Sequence, residues 1–166
     1  MNKIYLGIDI GTNGGISILE GTRIKTYTMP LLNDGDINII ELNAILNSIE
    51  GDKYCTIESL HCMPIWGAKG NWSFGGHYAV IKSILNLNKI PYTAVQPKKW
   101  QKEMFEGVKL IAKGDGKLDT KKTAEVAVNR IFPEFQIPTL TERSKKIHDG
   151  IVDSLLLSEY GRRNFK

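Results

Sequence analysis

The sequence predicts an α/β protein, a mixed β-sheet with helices on its faces. Three observations carry that expectation: the chain opens on a hairpin pattern, short β-branched runs then alternate with helical periodicities, and it closes on three successive helical segments. With 166 residues, 42% hydrophobic and 24% charged, it has the apolar mass for one core. A single domain over residues 1–166 is expected.

Residues 3–10 alternate around isoleucines and run into the turn Gly11-Thr12-Asn13-Gly14-Gly15, after which Ile16-Ser17-Ile18-Leu19 returns as a second strand. A third strand is expected over residues 23–28. Residues 36–49 place Ile39, Leu42, Ile45, Leu46 and Ile49 at helical spacing behind an acidic start. Residues 54–58 form a short strand ending at Glu58, preceded by the turn pair Gly51-Asp52. Residues 64–76 are rich in glycine and aromatics and read as a flexible loop; helical periodicity follows through Tyr78, Ile81 and Leu85. Residues 92–95 form the fifth strand, and a helix follows Pro97. Residues 113–117, Lys-Gly-Asp-Gly-Lys, have nothing to bury and read as a mobile loop. Helices over residues 123–131, stopped by Phe132-Pro133, and over residues 147–160 complete the order β-β-β-α-β-α-β-α-α-α.

The net charge is +4, unevenly placed: residues 1–90 carry 7 basic and 8 acidic side chains, residues 91–166 carry 15 and 10. Such asymmetry suits one basic surface facing a polyanion. Two cysteines, Cys55 and Cys62, make neither a disulfide framework nor a zinc site, so a reduced, cytoplasmic setting is expected. No apolar run suggests a leader or a membrane span.

Four acidic residues stand where surface carboxylates are not expected. Alternation puts Asp9 on the strand face opposite Ile4, Leu6 and Ile8, with Gly7 leaving room beside it. Glu58 ends another strand on the same face as Thr56. Asp149 and Asp153 are four apart, hence on one helical face, and continue an apolar stripe through Leu156, Leu157 and Tyr160. Taken singly, each acid could merely serve a strand end or helix start. Taken together they suit a site where hard divalent cations offset mutual repulsion, and two such ions per site can drive phosphodiester hydrolysis.

Gly7-Ile8-Asp9-Ile10-Gly11, Ile57-Glu58 and His148-Asp149-Gly150-Ile151-Val152-Asp153-Ser154-Leu155 resemble the RuvC-type Holliday junction resolvases of the RNase H-like superfamily, in feel nearest to the small bacteriophage members. The resemblance extends through Val95-Gln96-Pro97-Lys98-Lys99-Trp100 and Phe132-Pro133. It implies an RNase H-like sheet and a dimeric, Mg²⁺- or Mn²⁺-dependent crossover junction endodeoxyribonuclease of DNA recombination and repair, working in the host cytoplasm if viral. Asp9, Glu58 and Asp153 match the family's acids. Many members space the last two ligands by three residues, which falls here on Gly150, so Asp149 is the fourth candidate and His148 a weaker one that could equally cap the helix.

The candidate DNA contacts are Lys98, Lys99 and Lys102; Lys117, Lys121 and Lys122; and Lys145 and Lys146, all flanking the acids in sequence. Lys113, Arg162 and Arg163 belong to the same basic groups. Trp66, Trp72 and Phe74, among four glycines, offer rings that could stack on an unpaired base. Three alternatives compete. Asp9-Ile10-Gly11-Thr12-Asn13-Gly14-Gly15 is similar to the first phosphate loop of sugar kinases, but no second lobe and no G-x-x-x-x-G-K-[ST] follow, so no nucleotide cofactor is expected. A non-catalytic nucleic-acid-binding module predicts an incomplete acid set. The same chemistry on a flap or an RNA/DNA hybrid remains compatible with the residues.

Overall fold

A computed structural model describes residues 3–59, 67–141 and 143–165. Its strands are β1 (Lys3–Asp9), β2 (Gly15–Glu20), β3 (Arg23–Thr28), β4 (Asp52–Glu58) and β5 (Tyr92–Val95). Its helices are α1 (Ile39–Asn47), α2 (Gly67–Leu87), α3 (Pro97–Met104), α4 (Thr120–Ile131) and α5 (Asp149–Asn164), and the chain order of all ten elements is the one expected. Trp66 and Cys62 lie outside the described residues.

The sheet order is β3-β2-β1-β4-β5, with β1, β2 and β3 as an antiparallel meander and β4 and β5 parallel to β1. Strand alternation splits the core in two. Ile4, Leu6 and Ile8 of β1, with Cys55 and Ile57 of β4, pack under α1 and α2. On the other face lies a second core, built from Val95, Trp100 and Met104, Ala124, Ala127 and Val128 of α4, and the length of α5. The result is three layers, helices on both faces of a mixed sheet.

Local signals place most helix starts. Asn38 caps α1 by accepting the Glu41 N–H (3.2 Å), so that helix begins after the acidic residues expected to open it. Asp119 accepts the Lys122 N–H (3.2 Å), starting α4 three residues earlier than its apolar spacing suggests. Pro97 opens α3.

Three expectations are corrected. Residues 67–76 are helix, the first turns of α2, not a flexible loop. Phe74, Tyr78, Ile81, Ile84 and Leu85 are drawn onto the core, and that burial outweighs the poor helix propensity of the glycines. Residues 113–117 form a tied turn: the Lys113 and Lys117 backbones bond at 2.7 Å, Ala112 pairs with Leu118, and the Asp115 carboxylate accepts the Lys117 N–H. Finally, α5 has no single apolar stripe. It is buried from Gly150 to Gly161 on nearly every side except at Asp153, because it lies between the sheet and α3 and α4.

Close backbone packing positions α5. A Cβ on Gly7 of β1 would collide with the Ser154 carbonyl and come within 2.5 Å of the Ser158 nitrogen, so only glycine lets the helix settle there. Ser17 and Ser154 hydroxyls meet at 2.7 Å beside it. Among the described residues no helix is long and apolar enough to cross a membrane.

Candidate active site

Asp9 and Glu58 end neighbouring parallel strands whose last register pair is Ile8 with Ile57, so the two acids finish side by side at the carboxyl edge of the sheet. Ligand sites of open α/β sheets favour that edge. The first two turns of α5 bring Asp149 and Asp153 to the same place. All four acids line one cleft of about 500 Å³, together with the turn over residues 11–14, Lys121, Lys146 and a wall of α2 that includes Ser73, Phe74 and His77.

Position 150, where the resemblance would put an acid, has a structural reason to be glycine. Gly150 pairs with Gly14, and a Cβ there would run into the Asn13 carbonyl and sit 2.8 Å from the Gly14 α-carbon. A side chain has no room at Gly150. Asp149, one residue earlier, faces the cleft instead.

Burial and mutual repulsion dominate the electrostatics. Asp9 has its carboxyl pKa raised well above the usual range, first by burial and then by Asp153 and Glu58, with Lys121 opposing. Burial, then Glu58 and Asp149, push Asp153 up to about 7. Glu58 is raised by burial and held back by Trp100, whose indole N–H donates to its Oε1 at 2.9 Å. Lys121 reaches in from α4, its ammonium 2.6 Å from Asp149 Oδ2, with Lys146 4.0 Å from the same oxygen.

This donor set is all oxygen, desolvated and self-repelling, which fits a hard divalent cation. Among the described residues no three acidic, histidine or cysteine side chains are gathered closely enough to hold a metal ion. Asp149 holds Lys121 instead.

The remaining candidates separate by position. Lys121 and Lys146 line the cleft, and with Lys122 and Lys145 they flank an adjoining groove between the starts of α4 and α5. Lys98, Lys99 and Lys102 are exposed on α3, outside the cleft lining, and Lys117 pairs with Asp115 at 3.3 Å. Arg162 and Arg163 lie at the far end of α5, bonded to buried Glu159 at 2.7 and 2.8 Å, so they neutralise a core carboxylate there. His148 is buried and caps α5, its Nδ1 accepting the Ile151 N–H at 3.3 Å; burial lowers its pKa. Phe74 lines the cleft, while Trp72 is 86% exposed on α2.

Besides the bond from Lys121 to Asp149, two features were not read from the sequence. Trp100 orients Glu58 across 42 residues, a contact with no local signal beyond a tryptophan in a lysine-rich helix. His77, buried in the cleft wall, stands 3.9 Å from Asp36.

The arrangement is an RNase H-like α/β fold: a five-stranded mixed sheet, helices on both faces, acids at one edge. Two solved structures of RuvC from Thermus thermophilus share it. The RuvC in complex with a Holliday junction substrate has a TM-score of 0.61 at 12% identity, covering 96% of this chain and 95% of that one. A second RuvC structure has a TM-score of 0.56 at 15% identity, covering 96% of each. No protein-family model matches the sequence, and no curated protein does.

Proposed function

We propose that the chain is a divalent-metal-dependent endonuclease of branched DNA, akin to the small bacteriophage RuvC-type resolvases, with four-way junctions as its substrate. The observation that carries this reading is the gathering of Asp9, Glu58, Asp149 and Asp153 in one cleft at the sheet edge of a RuvC-like fold. One of the two similar structures holds a Holliday junction substrate, which supports the choice of substrate class.

In this reading the four carboxylates are the ligands of two cations, Mg²⁺ or Mn²⁺. Such ions, when bound, supply Lewis-acid chemistry at the attacking and leaving oxygens of the phosphodiester. The chain's residues do the rest. Trp100 fixes the Glu58 carboxylate so that it need not be ordered when the site fills. Lys122, Lys145 and Lys146 hold backbone phosphates along the groove beside the cleft, without reading sequence. Phe74 and Trp72 offer rings to bases opened at the branch point.

A four-way junction presents two equivalent strands, and a homodimer would cut both. The outer face of α2 beyond Trp72 suits a second copy of the chain: Gly75, Gly76, Ala79, Ser83 and Leu87 are exposed and uncharged at helical spacing.

Asp153→Asn tests the assignment. Junction cleavage in Mg²⁺ is expected to fall by about 100-fold or more, with junction binding retained. Undiminished cleavage would remove Asp153 from the site.

A further inference from the structure

Resting on the reading of the cleft as a cation site, we propose that Lys121 is its resident counter-ion, occupying Asp149 until divalent cations arrive and then released to bind phosphate. Its ammonium lies 2.6 Å from Asp149 Oδ2, and that of Lys146 stands 4.0 Å from the same oxygen. The carboxylate oxygen that would serve a metal is thus already bonded to a cation.

The two partners are anchored independently. Lys121 extends from the start of α4, where Asp119 caps the helix and the Thr123 hydroxyl accepts the Ile111 N–H at 3.1 Å. Thr123, Ala124, Ala127 and Val128 bury the inner side of α4 against the core. Asp149 opens α5, locked by the contact between Gly14 and Gly150. Neither helix must move for the pair to part, because the flexible lysine stem alone can swing. The Lys121 side chain is 66% exposed and that of Asp149 24%, so release returns the ammonium to water at little desolvation cost.

Charge counting gives the direction. Four ionised carboxylates carry four negative charges, which two divalent ions cancel. The Lys121 ammonium is then surplus and repelled by the ions. A bound strand would bring phosphates to the groove that Lys121 already lines with Lys122 and Lys145, where Asp119 and Glu125 are the protein's own acids. The same side chain would stabilise the empty cleft and then hold the substrate.

Such exchange makes Lys121 a competitor of the metal, which Mn²⁺ titration calorimetry at fixed pH reads without any cleavage assay. Lys121→Met and Lys121→Gln are each expected to bind Mn²⁺ about threefold or more tighter than the unaltered protein. Lys122→Met, which removes an equal charge not bonded to Asp149, is expected to stay within about twofold. Unchanged or weaker binding by both Lys121 variants overturns the proposal, and so does equal tightening by Lys122→Met, which would reduce the effect to general charge. Asp153→Asn separates the underlying reading: if it binds Mn²⁺ as the unaltered protein does, the cation site itself falls and the exchange with it.

Discussion

Asp153 stands in the cleft with its carboxyl pKa at about 7, raised first by burial and then by its acidic neighbours. In the unfolded chain the same group ionises near its ordinary value of about 4, so between those values the folded state binds more protons. The resulting stability is fully present below the unfolded value and is lost as pH rises through about 7. Asp9 and Glu58 are shifted in the same direction. His148 contributes with the opposite sign, but its share is complete once the pH exceeds its ordinary 6.5. The metal-free protein is therefore expected to lose thermal stability between about pH 6 and about pH 8, with saturating Mg²⁺ reversing the loss. A melting temperature that climbs across that interval without metal would contradict the electrostatic account. At this scale the acids were legible because strand alternation and helical spacing are local. The bonds from Trp100 to Glu58 and from Lys121 to Asp149 were not, since they join residues 42 and 28 apart.

Among the elements, α5 does most to build the site. It carries two of the four acids, and its approach to the sheet depends on Gly7. Gly7→Ala is expected to cost about 2 kcal/mol or more in urea unfolding, because backbone atoms of Ser154 and Ser158 must retreat, and to lower cleavage by displacing Asp149 and Asp153. Unaltered stability would mean that the helix has slack the packing does not show. Element order was readable throughout because each strand and helix carries its own period. Boundaries failed where caps or burial outvoted that period, as at Asn38, at Asp119 and in the glycine-rich start of α2. The stripe expected on α5 was misplaced for a related reason: hydrophobic periodicity reports one buried face, and a helix enclosed by sheet and helices has none exposed to contrast with it.

The whole molecule gives the charge asymmetry its shape. The first half supplies Asp9 and Glu58, and the second supplies Asp149, Asp153 and the lysines of the adjoining groove. Part of the basic excess is spent inside the protein, on Glu159 by Arg162 and Arg163. For about four lysine–phosphate contacts, junction affinity is expected to fall by about 100-fold between roughly 50 and 200 mM salt. Sedimentation of the same mixtures is expected to show two chains per junction. Salt-indifferent affinity, or one chain per junction, would contradict the groove or the dimer respectively.

The central claim is most directly tested by incubating the protein with a synthetic four-way junction, a linear duplex, a flap and an RNA/DNA hybrid, each with and without Mg²⁺. The account predicts paired cuts in the junction alone, and only with Mg²⁺. Binding to the junction without cleavage under any of these conditions, or preferential cutting of the flap or the hybrid, would contradict it.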